Sequence, residues 1–153
     1  MTTKWNEHLF RGHAAESISK AWFQAMGHVT FTPEVPNGVV DFMVKHRVTG
    51  RVFQVQSKTV HHTATAGSHR YYGSSVRRGS GQLYEPQDVD LFTLVDIPAD
   101  IWVIPASVVL DAAIPNIVLG RLDDREYRPR QPDWSRFKRT WPVQRQPVTG
   151  DNE

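Results

Sequence analysis

A chain of 153 residues, 39% hydrophobic and 22% charged, is long enough for one domain around one core, and it has no apolar run that could span a bilayer. The absence of cysteine excludes disulfides and cysteine-ligated zinc. The formal net charge is only +2, so attraction for an anionic partner must come from local clustering. The N-terminal ten residues, MTTKWNEHLF, lack an apolar signal region, which points to a cytoplasmic protein.

Taken in order, Ala14, Ile18, Ala21, Trp22 and Ala25 recur at helical spacing and predict a helix over 13–26, stopped by Gly27. Glu16 lies off that stripe, roughly opposite Ile18 and Ala25, where a surface glutamate is the simplest reading. Residues 28–38 read as a short strand and a turn marked by Pro36 and Asn37-Gly38. Glu34 falls there as a solvated loop residue.

Residues 39–60 read as a hairpin. The first strand, 39–44, carries Asp41; the turn is Thr49-Gly50; the second strand spans 51–60. Side chains two apart on a strand share a face, so Gln54, Gln56 and Lys58 line one side and Phe53 and Val55 the other. A hairpin with a solvated polar face fits that alternation. So does a metal-plus-lysine site. A carboxylate and an amide oxygen on neighbouring strands suit a hard cation such as Mg²⁺, and a lysine two residues on can hold a phosphate or position a water.

Residues 61–83 contain Gly, Ser, Thr and three histidines, with Arg70, Arg77 and Arg78 and no acidic residue. They predict a flexible basic loop, with Tyr71 and Tyr72 in it, suited to phosphate contact. His61-His62 lacks the second spaced pair that a zinc site needs. Apolar runs at 91–95 and 102–104, separated by a turn at 96–100, predict central strands buried on both faces. Asp88 and Asp90 border the first of them. Residues 106–113 predict a short helix with Ser107 as N-cap. Over 121–146, eight cationic residues stand against four acidic ones, with Trp134, Phe137 and Trp141 interleaved. The stretch WSRFKRTW predicts a basic amphipathic helix that starts near Asp133 and offers Arg136, Lys138 and Arg139 to DNA or docks its aromatics on the core. Residues 1–146 then form a single domain, and 147–153 a disordered tail.

Asp41 followed by Gln56-Ser57-Lys58 on the next strand resembles the PD-(D/E)XK nucleases. More closely, it resembles the branch with Gln in the (E/Q)xK motif, which includes a group I intron homing endonuclease. Gly12-His-Ala-Ala-Glu16 resembles the family's first motif, and Tyr84 to Phe92 with Ile101 to Pro105 resembles its next two strands. The likeness covers roughly residues 10–110. It departs from the pattern where Val40, not proline, precedes Asp41 and where Gln56 is neutral.

The resemblance implies an α/β, restriction-endonuclease-like fold, a mixed central sheet flanked by helices. It implies Mg²⁺, with Mn²⁺ as a substitute, held by Glu16, Asp41, Gln56 and the Ser57 carbonyl. Lys58 acts on the attacking water and the phosphate, which makes Glu16, Asp41, Gln56 and Lys58 the catalytic set. Double-stranded DNA is the implied substrate, contacted by Arg70, Tyr72, Arg77, Arg78, Arg136, Lys138 and Arg139. Cutting both strands calls for a homodimer or homotetramer, in a prokaryotic or phage-infected cell. A site-specific homing endonuclease is the first expectation. A Holliday-junction resolvase, a repair nuclease, an RNA-processing nuclease or a non-catalytic DNA-binding protein are alternatives on the same fold.

Overall fold

In the computed structural model, residues 6–35, 39–66, 69–121 and 131–142 are described. The Asn37-Gly38 turn, the 147–153 tail and the Arg70 side chain lie outside what is described. The helix α1 runs over Glu7–Ala25, six residues earlier than the apolar spacing predicts. Its start is set by Asn6, whose side chain accepts the Leu9 N–H at 3.2 Å. Its end is Gly27, at φ +85°, a left-handed position that favours glycine. The buried face is Ala15, Ser19, Trp22 and Phe23, while Ala21 and Ala25 are exposed. The stripe is thus rotated by about one residue from the predicted one, because a serine sits in the core and only apolar residues were counted toward the stripe.

Strand β1 (Val29–Phe31) pairs antiparallel with β2 (Phe42–Lys45), and β2 with β3 (Val52–Thr59). Gly50, at φ +69°, allows the turn between β2 and β3. Asp41 stands just before β2, not inside it, and its N–H donates to the Val55 carbonyl at 3.0 Å. After β3 the chain leaves this sheet through β4 (His61–Ala66) and β5 (His69–Ser75). It returns as β6 (Leu91–Asp96), parallel to β3, and β7 (Asp100–Pro105), antiparallel to β6. The expected basic loop is therefore largely a hairpin. Its polar, Gly- and Ser-rich composition hides strands that pair with β8 (Asn116–Arg121) into a separate three-stranded sheet, β4-β5-β8.

The large sheet has the order β1-β2-β3-β6-β7-β9, the last being the two-residue strand Lys138–Arg139. Two of its interior strands, β6 and β7, are buried on both faces as their apolar runs predict. One face packs on α1 through Phe42, Val44, Val55, Val95 and Ile101. The other, with Phe92, Leu94, Trp102 and Ile104, packs on the small sheet, on α2 (Ala106–Asp111) and on Trp134 and Phe137. Two expectations fail here. The N-cap of α2 is Pro105 without a side-chain bond, not Ser107. The WSRFKRTW segment is a 3-10 turn over Trp134–Phe137, capped by Asp133, followed by β9. Trp134 and Phe137, three apart, suit the 3.0-residue turn as well as an α-helix. The expected docking of aromatics on the core does occur, with Trp134 and Phe137 both buried.

Among the described residues, no helix is long and apolar enough to cross a membrane.

Candidate active site

The antiparallel pairing of β2 with β3, with Phe42 opposite Val55, leaves the C-terminal half of β3 beside the entrance to β2. Asp41, at that entrance, accepts the Gln56 Nε2–H at 2.7 Å and the Ser57 N–H at 2.8 Å, both on the same carboxylate oxygen, Oδ2. One carboxylate thus ties β2 to two consecutive residues of β3. In an extended strand the N–H and C=O of one residue point to the same edge, so the Ser57 carbonyl also faces the Asp41 side.

Gln56 is 7% exposed, and its Oε1 is buried without a hydrogen-bond donor. A buried amide oxygen left unpaired costs about 1–3 kcal/mol. Lys58 follows two residues on, on the same face. Its Nζ donates to the Arg77 carbonyl at 3.1 Å and stands 5.2 Å from the centre of the Tyr84 ring. Burial pushes the Lys58 ammonium below its ordinary range, partly offset by Asp41. Asp41 moves the other way. Burial raises its carboxyl, helped by Glu16, against the lowering effect of the Ser57 N–H, Lys58 and Gln56.

Glu16 reaches this site from α1, close enough to act on the Asp41 charge. Its position follows from the helix seat. Ser19, fully buried, shares hydrogen bonds with Ser57 Oγ at 3.1 Å and Thr93 Oγ1 at 2.8 Å. Those three hydroxyls lie on the helix-facing side of β3 and β6, so Ser57 serves the helix with its side chain and Asp41 with its backbone. Glu16, one turn earlier, is half-buried and is bound by Lys20 at 2.7 Å. Its placement off the apolar stripe was legible, but its distance from the site was not.

Two further residues belong here that the sequence analysis did not single out. Lys20 neutralises Glu16. Tyr84, 4% exposed, packs edge-on against Phe92, the residue paired with Gln56 across β3 and β6. Burial, with the charges of Asp41 and Asp88, pushes its phenol up to about 12. Tyr84 begins the stretch before β6, but nothing in its spacing marks it as the floor beneath Lys58.

The proposed DNA contacts divide. Arg77 is exposed beside Lys58, and Arg78 is held 3.9 Å from Asp88. Arg70 lies in β5, in register with Thr65. Tyr72 stacks on His62 at 5.3 Å and covers Gly120, where a Cβ would run into its ring. Arg136, Lys138 and Arg139 sit at the far edge of the large sheet, three strands from β3 and so roughly 14 Å across it. Lys138 pairs with Asp100 at 3.3 Å and lies over Trp102; Arg139 donates to the Arg136 and Lys138 carbonyls. Asp90 borders β6 as expected, where its carboxylate accepts the Gln54 N–H at 2.8 Å. His62 pairs with Asp96, and no three His, Cys, Asp or Glu among the described residues converge as a metal cluster.

No family model and no curated protein matches the chain. Among solved structures it is similar to a bacterial homing endonuclease, I-Ssp6803I, with a TM-score of 0.67 and 18% identity over 87% of this chain and 89% of that one. The chain shares that fold. At this identity the likeness concerns the arrangement of strands and helices, and the chemistry must be argued from the residues.

Proposed function

We propose that the protein is a metal-dependent DNA endonuclease, a PD-(D/E)XK nuclease of the Gln branch, that cuts duplex DNA in the manner of a homing endonuclease. The observation that carries this is the meeting of Asp41, Gln56 and Ser57 beside Lys58, with Gln56 Oε1 buried and lacking a donor. The fold match to a homing endonuclease supports it. The donor set suits Mg²⁺ or Mn²⁺. Asp41 and Glu16 offer carboxylates, Gln56 an oxygen with no other use, and Ser57 a carbonyl on the right edge. A raised carboxyl and a depressed ammonium side by side are the mark of a site whose charges await a ligand.

A bound metal ion would supply polarisation of the phosphoryl oxygen and a more acidic water. The chain's own residues do the rest. Asp41 is oriented by two N–H donors, so its free oxygen is aimed rather than mobile. Lys58, partly desolvated, contacts a phosphate oxygen or the attacking water, and it gives up its proton more easily than a surface lysine does. The Tyr84 ring lies beneath the lysine's ammonium. Cleavage of both strands requires two such sites, hence a homodimer or homotetramer.

The test is incubation of the purified protein with plasmid duplex, branched DNA and RNA, in Mg²⁺, in Mn²⁺ and in EDTA. Metal-dependent cutting of duplex is expected. Cutting of branched DNA alone would indicate a junction resolvase, and cutting of RNA alone an RNA-processing enzyme. Binding of DNA without cutting in either metal would sink the nuclease reading.

A further inference from the structure

Behind Lys58, next to the first turns of α1, where His8 and Gly12 stand at helical spacing on the same face as Glu16, lies an open cleft of about 290 Å³. That is at the lower edge of the ~300–1,000 Å³ found where a small molecule is enclosed. Four of its lining residues are cationic or can become so: Lys58, Arg77, His8 and His61. His8 and His61 meet across it with ring centres 6.0 Å apart, one from α1 and the other from the start of β4. Ser57, Thr59, Ser74 and Ser75 complete the lining, and none of the lining residues is acidic. A second cleft, near α2, makes the contrast. It is lined by Asp90 and Asp111 with Arg51, Phe53, Leu91 and Leu110, so its one cation is outnumbered by carboxylates amid apolar carbon.

Gly12 opens onto this cleft from the interior of α1. Glycine is disfavoured inside a helix relative to alanine. Packing gives no reason for it here, because a Cβ at Gly12 would meet nothing within 4 Å. A glycine that the fold does not need, facing a cationic cleft, is what close approach of a ligand to the helix backbone requires. The geometry points to a second phosphate subsite: the Gly12, His8, His61, Arg77 and Lys58 cleft seats a DNA backbone phosphate next to the one at Asp41 and Gln56. The substrate strand then runs from the active site along α1 toward β4. This deepens the nuclease reading and rests on it for the identity of the phosphate's owner. The anion site itself does not depend on cutting.

The experiment uses the whole protein in EDTA, so that metal chemistry plays no part. Inorganic phosphate is titrated while backbone amide resonances are followed. Gly12, His61 and Ser75 should shift together along one saturable curve. Gly12→Glu should weaken that binding at least tenfold, because it brings a carboxylate to the cleft on a Cβ that meets nothing within 4 Å. The variant's helix should be intact, since glutamate is the better helix former, and its melting temperature checks this. A short DNA duplex should reproduce the same shifts at far lower concentration. Absent shifts, shifts indifferent to Gly12→Glu, or a duplex that leaves these resonances unmoved would each overturn the subsite. Metal-dependent cutting by the same preparation judges the nuclease reading separately, whichever way the titration falls.

Discussion

The two sides of the six-stranded sheet both carry lysine and arginine, under opposite conditions. At β9, Lys138 already has Asp100 and the Trp102 ring, and Arg139 has two carbonyls. These charges are exposed and occupied by the protein itself, and pairs of this kind contribute about 0–1 kcal/mol. At β3, Lys58 is half-buried over the Tyr84 ring and holds a single carbonyl and no salt-bridge partner among the described residues, beside a carboxylate that burial has made reluctant to ionise. The count of positive residues favours the C-terminal segment. The unmet electrostatic demand is at β3. Where a ligand would gain most is therefore read from burial and unsatisfied groups rather than from a tally of arginines.

Substitution can break that contrast. The largest effect should come from Lys58→Ala or Asp41→Asn, each lowering the rate of DNA cleavage by about 10²–10⁴, the range of a positioned proton-transfer group. Replacing Arg136, Lys138 and Arg139 together by alanine should leave the rate within about threefold. Single-turnover assays at saturating protein measure both. Equal losses in the two sets would mean that the far edge belongs to the reaction.

A smaller effect is expected on binding. Each phosphate contact contributes about 0.9 to the slope of log affinity against log salt on duplex DNA. Arg77→Ala should flatten that slope by about one unit. Arg78→Ala should flatten it less, because Asp88 already holds its guanidinium. Titrations in Ca²⁺ at several salt concentrations would show it, and the reverse ranking would place the DNA on the Asp88 side.

The smallest effect is thermal. The Asp41 carboxyl is raised in the fold, so the protonated form is the better folded one. Its contribution to stability is present below the unfolded carboxylate range and lost as pH rises through the folded value. Asp41→Asn mimics the protonated form. Without divalent metal it should melt above the wild type at neutral pH, with the gap closing on acidification. A gap that widens toward low pH would contradict the burial account.

How much of this was legible differs from strand to strand. The hairpin of Asp41 and Lys58 could be read because one face is apolar and the other is not, and strands β6 and β7 because they are greasy throughout. Strands β4 and β5 could not, since Gly, Ser, Thr and His carry no hydrophobic period and pairing with β8 supplies what their side chains do not signal. The helix start hung on one asparagine outside any periodic pattern. Tyr84 and the His8–His61 cleft are products of long-range folding alone, with no local signature.

The hydroxyls of Ser19, Ser57 and Thr93 have one more consequence. An interface of hydrocarbon alone tolerates a helix that slips or turns by a fraction of a residue, because dispersion is nearly indifferent to direction. Hydrogen bonds are not, and a satisfied buried network favours one arrangement over its neighbours. These three groups act as a detent, indexing α1 along its own axis so that the helix can stop at one notch. Replaced by alanine and valine, the seam could hold as firmly and yet let Glu16 drift along the sheet: a protein equally stable and out of adjustment.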